Sequence, residues 1–144
     1  MPTVRLLADA EMSPAARAVV DDIRAVRGSD YVNDFWRALA HDAATMRRTW
    51  ESLKQVMAPG ALDPLVKEML YVAVSIAHGC DYCVATHTAS ARAKGMSEAQ
   101  LMELLAVVGM AAETNRLVTG LRVPVDERYR DPPDHQSEST VSSE

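Results

Sequence analysis

Strand patterning is the first thing this chain lacks. No stretch alternates apolar and polar residues for long, and phenylalanine occurs once among its 144 residues. Sheet-based folds are therefore disfavoured, including the thioredoxin-type arrangement of alternating strands and helices. A basic excess is also missing. Fifteen Lys and Arg stand against 20 Asp and Glu, a net charge of −5. No basic excess exists to neutralise a phosphate backbone, which argues against nucleic acid as the main partner. No apolar run is long enough to span a bilayer, and Met1 to Met12 lacks the apolar core of a signal peptide. The expected location is the cytoplasm, where thiols are kept reduced. Cysteine is scarce, and two residues make no disulfide scaffold.

What is present reads as helix. Apolar residues make up 48% of the chain, enough for one domain with a core. Ser13-Pro14 offers an N-cap followed by a proline at the first helical position. Ala16, Val19, Val20, Ile23 and Val26 then form one stripe, closed by Gly28. A short helix is expected through Phe35 and Leu39. Asp42 caps a third helix, on which Met46, Trp50, Leu53 and Met57 share a face, and Pro59-Gly60 breaks it. Asp63-Pro64 opens a fourth helix reaching Ala77 or His78. It is apolar nearly all round, which predicts a central, buried position. Gly79 stops it. A fifth helix starts at or near Cys80 and ends at Gly95. The sixth opens on a capping box, Ser97 with Gln100, and Met96 can staple onto Leu101. Leu101, Leu104, Leu105 and Val108 follow at core spacing. The helix is expected to run to Thr119 and stop at Gly120, with Gly109 marking a bend or a close helix contact. The fold class is thus all-α, a compact bundle of about six helices. It forms one domain over residues 1–130, and residues 131–144 read as a disordered tail.

The segment from His78 to His87 carries the chemistry. Cys80 lies at a helix start, and Cys83 is three residues further on the same face, within disulfide reach. His87 follows four residues later, one turn from Cys83. A helix N-terminus and a neighbouring histidine both favour a thiolate. Such a pair can attack an oxidant and close into a disulfide. Glu68 is a carboxylate in an apolar helix, where an unpaired charge is unfavourable. If the fourth and fifth helices form a hairpin about Gly79, Glu68 comes within about one turn (~5.4 Å) of the level of His87. A carboxylate there would fix the imidazole tautomer and raise its basicity.

The order Glu68, then Cys80-Asp81-Tyr82-Cys83, then His87 resembles the alkylhydroperoxidase D-like branch of the carboxymuconolactone decarboxylase superfamily. The resemblance spans roughly Phe35 to Asp126. It includes the lead-in Pro59-Gly60-Ala61-Leu62-Asp63 and Asn115-Arg116 in the last long helix. It implies an all-α protein that reduces hydroperoxides by a dithiol–disulfide cycle. Carried over by position, Glu68 and His87 form a proton relay, through a water, to Cys83 and Cys80. The best-known member has a histidine between its cysteines, where this chain has Asp81-Tyr82. The decarboxylase branch lacks the cysteine pair, which points away from lactone chemistry. The resemblance further implies no bound cofactor, an external dithiol reductant such as a lipoyl group or a thioredoxin-like protein, and a homo-oligomer, trimer or hexamer.

Other readings stay open. The same cysteines would serve a disulfide reductase or electron carrier with little peroxide turnover. They could also be incidental in a binding module. A zinc site from His78, Cys80, Cys83 and His87 would place three ligands on one continuous helix, a poor tetrahedron. Glu68 could pair with Arg47 or Arg92 instead. Tyr82 could steer substrate or simply pack. Trp36, Trp50 and the methionines read as core or interface.

Overall fold

The computed structural model describes residues 3–130. The tail expected over residues 131–144 lies outside them. Among the described residues there are six α-helices, two short 3-10 turns and no strand. The helices are α1 (Pro14–Arg27), α2 (Asp34–Leu39), α3 (Ala43–Met57), α4 (Pro64–Ala77), α5 (Asp81–Ala93) and α6 (Glu98–Leu121). The 3-10 turns cover Asp9–Glu11 and Glu127–Tyr129. The chain divides after Glu68 into two compact units.

The first unit has a closed apolar core. Ser13 caps α1 by accepting from the Ala16 N–H, and Gly28 ends it in the left-handed region at φ +62°. Ala16, Val19, Val20 and Ile23 are buried as the stripe predicts, but Val26, in the last turn, is exposed. Asp42 caps α3 by accepting from the amides of Ala44 and Thr45. Met46 and Trp50 of α3 pack with the α1 stripe, Val32 and Trp36, while Leu53 lies partly buried against them. The two tryptophan rings meet edge to face, their centroids 5.5 Å apart. Asp22 of α1 accepts from Trp50 Nε1 at 2.6 Å and from Lys54 Nζ at 2.8 Å. Those bonds hold the Asp22 carboxyl below its ordinary range and the Lys54 ammonium above its own.

A second tie fixes the N-terminal segment. Asp9 sits among three guanidiniums: Arg24 at 2.8 Å, Arg37 at 3.1 Å and Arg17 at 3.6 Å. The Arg24 hydrogen bond leads in holding the Asp9 carboxyl below its usual range, against some desolvation. The end of α3 is closed by a side chain from α4. Lys67 Nζ donates to the carbonyls of Val56 and Ala58, the role a cation plays at a helix C-terminus.

The second unit is different. Among the described residues, its buried apolar side chains are few: Val72, Ala91, Met96 and Leu104. The expectation that α4 is central and buried is corrected here. Only Glu68, Val72 and Ser75 of that helix are buried, whereas Val66, Leu70, Tyr71 and Val74 are exposed, Val74 at 56%. Among the described residues, that unit adds only two helices and a short 3-10 turn to α4, too few to wrap an all-round apolar helix. α6 also runs further than expected. It passes through Gly120 to Leu121, and Arg122 takes the left-handed position at φ 51°. The Val123 N–H bonds the Val118 carbonyl and the Arg122 N–H bonds that of Thr119, so the helix is closed without glycine. Gly109 marks no close contact, since a Cβ there would meet nothing within 4 Å.

Candidate active site

The turn between α4 and α5 builds the site. Gly79 sits just past α4 at φ +68°, a region that suits glycine. Its N–H bonds the Ile76 carbonyl at 3.1 Å, and the Cys80 N–H bonds the Ser75 carbonyl at 2.9 Å. This is a Schellman closure, and it leaves Cys80 just past the helix end. Cys80 is at the same time the N-cap of α5, its Sγ accepting from the Cys83 N–H at 3.3 Å. One residue thus closes one helix and starts the next. Its sulfur takes the first-turn amide of Cys83, and a helix start favours negative charge there.

Cys80 and Cys83 are joined by a disulfide, with their Cα atoms 5.3 Å apart. The expected spacing is therefore realised as a bond. Both cysteines are half-buried. His87, one turn on, is half-buried too, and its ring lies flat against Tyr71 of α4. The ring centroids are 3.6 Å apart and the planes differ by 16°. Tyr71 is the site residue that sequence reasoning missed. The clue available was its position on α4, three residues after Glu68. Glu68 itself is 5% exposed, and by helical spacing it shares a face of α4 with Tyr71, Val72 and Ser75. Tyr82 and Asp81 are exposed in the first turn of α5, beside the disulfide. Arg92, one candidate partner for Glu68, bonds Glu98 at 2.8 Å.

The other face of α5 looks onto a groove of about 370 Å³. Val72 and Ile76 of α4, Val84 and Ala85 of α5, and Leu101 and Leu105 of α6 supply its apolar lining. Among the described residues, no group of three or more His, Cys, Asp or Glu side chains is arranged to hold a metal ion. No helix among them is long and apolar enough to cross a membrane.

Residues 43–126 match the family model of the carboxymuconolactone decarboxylase family. The chain belongs to that family. Within it, the chain is similar to the crystal structure of an alkylhydroperoxidase AhpD core from Rhodospirillum rubrum. The two share 59% identity with a TM-score of 0.88, over 91% of this chain and 98% of that one. It is also 38% identical over 55 residues to an uncharacterized protein of Cupriavidus necator, covering 38% of this chain and 49% of that protein. A third relative is uncharacterized protein 4 in the cox locus of Paracoccus denitrificans, 38% identical over 52 residues, 36% of this chain and 47% of that protein. The chain thus spans about half the length of the curated relatives it matches. The family and the all-α, AhpD-like fold stand as expected from the residues.

Proposed function

We propose that the protein is a thiol peroxidase that reduces hydroperoxides through a Cys80/Cys83 dithiol–disulfide cycle. The observation that carries this reading is the disulfide at the start of α5 with His87 one turn behind it. The likeness to an alkylhydroperoxidase core supports it. His87, oriented by Glu68, takes the proton of the Cys83 thiol. The thiolate attacks the outer peroxide oxygen, the O–O bond breaks, and the leaving alkoxide takes that proton to depart as alcohol or water. The sulfenic acid on Cys83 condenses with the Cys80 thiol, releasing water and forming the disulfide. An external dithiol, lipoyl or thioredoxin-like, is oxidised as it returns both cysteines to thiols. No bound cofactor enters this cycle. Tyr82, exposed beside the disulfide, is the candidate for steering the substrate.

Steady-state turnover with several hydroperoxides and several dithiol donors tests the reading. Catalytic peroxide consumption under a dithiol is the expected result. Dithiol–disulfide exchange without peroxide turnover would favour the second reading, a disulfide reductase or electron carrier, which the same disulfide also supports. Assembly belongs to the proposal. The exposed apolar residues of α4 and α6 suit a second copy of the chain, in a trimer or hexamer, with the cysteines left accessible to a bulky donor.

A further inference from the structure

The cycle as written gives the contact between Tyr71 and His87 no role. Tyr71 is 37% exposed, so it lies at the surface and not in the core. Its ring lies nearly parallel to the imidazole at 3.6 Å, across from α4 to α5. The backbone beneath it is held as well. The buried Ser75 hydroxyl donates to the Tyr71 carbonyl at 2.7 Å.

An imidazole accepts or gives a proton only at its ring edge, because the nitrogen lone pair and the N–H bond both lie in the ring plane. A flat partner on one face leaves that edge clear. It also resists rotation about the bond that swings the edge, a torsion that is otherwise broad. The same partner closes one face to water. We propose that Tyr71 is a positioning residue for His87. Its ring fixes the imidazole plane, so that an edge nitrogen is presented along α5 toward Cys83, one turn away. The step served is proton transfer: the Cys83 S–H bond breaks, the proton moves to the imidazole nitrogen, and the electron pair stays on sulfur. The aromatic face does this work, and the phenol hydroxyl does not.

The inference rests on the peroxidase reading only for the role of His87, so its test needs no peroxide. The full chain is reduced, and alkylation of Cys83 by iodoacetamide is followed by mass spectrometry. Tyr71→Leu should slow it about tenfold, a fraction of the 10²-fold or more at stake in a positioned base. Tyr71→Phe should stay within about twofold of the parent. In a His87→Gln background, Tyr71→Leu should add nothing, because coupled residues are not additive. The His87 ring protons should carry a ring-current shift in the parent and in Tyr71→Phe that disappears in Tyr71→Leu. Should Tyr71→Leu fail to fold, Tyr71→Met fills the space without an aromatic face and serves instead. Parent-like alkylation in the folded non-aromatic variant would overturn the proposal. So would an equal loss in Tyr71→Phe, or a full additional loss on top of His87→Gln. Failure of the peroxidase reading shows separately, as a parent protein without peroxide turnover whose Cys83 alkylation still depends on Tyr71.

Discussion

At the residue scale, the sulfurs and the imidazole define the experiments. Cys80→Ser and Cys83→Ser each remove the disulfide, but they differ in what accumulates. With Cys83 as the attacking thiol, Cys83→Ser forms no sulfenic acid and Cys80→Ser accumulates it on Cys83. The helix-capping position of Cys80 makes the reverse order the physical rival, and a dimedone-type trap read by mass spectrometry separates the two. His87→Gln should lower peroxide turnover by about 10²-fold or more. An unchanged pH–rate profile in that variant would remove His87 from the mechanism. Cysteine spacing and the His87 offset were legible in the sequence because each is local to one helix. The stack of Tyr71 was not, because it joins residues on two helices whose facing depends on how the Gly79 turn directs them.

At the scale of elements, two joints are open to test. Gly79 adopts φ +68°, and an alanine Cβ at that position would have nothing within 4 Å, so Gly79→Ala meets no clash. Its cost is conformational, about 1 kcal/mol. That corresponds to about 3 °C in a chain of this size, read by thermal melting under reducing conditions. The Asp9 tie predicts a pH dependence. A carboxyl held below its ordinary 3.8 adds stability above the unfolded value and loses it as pH falls through the lower folded value. Asp9→Asn should therefore melt earlier than the parent at neutral pH. The difference should close in acid well below 3.8, and a constant difference across that range would refute the tie. Helix starts were legible at Ser13, Asp42 and Ser97, since a cap uses groups within four residues. The stop of α6 was not. Gly120 had the right chemistry for a terminus, yet Arg122 took the left-handed turn.

At the scale of the molecule, the two units differ in how much apolar surface they enclose. The α1–α3 core is closed, whereas α6 exposes Met102, Val107 and Met110, each about 60–70% accessible. Large apolar patches are uncommon on soluble monomers, and closed symmetry is the usual way to bury them. Light scattering should find a trimer or hexamer, and a stable monomer at micromolar concentration would sink the proposal. Val107→Glu and Met110→Glu together should shift the assembly toward monomers while α1–α3 stays folded, since its core contains neither residue.

The sequence by itself determined the fold class, the helix order and the disulfide partners. Each of these depends on periodicity, caps or spacing within one or two turns, and the relevant physics acts over that range. The tertiary structure alone decided which apolar residues are buried. Composition made α4 look central, but burial depends on how many neighbours can reach a helix, and Val66, Leu70, Tyr71 and Val74 are exposed. It alone also brought Tyr71 onto His87, because a ring contact between helices follows from their relative rotation and not from the order of residues in either one.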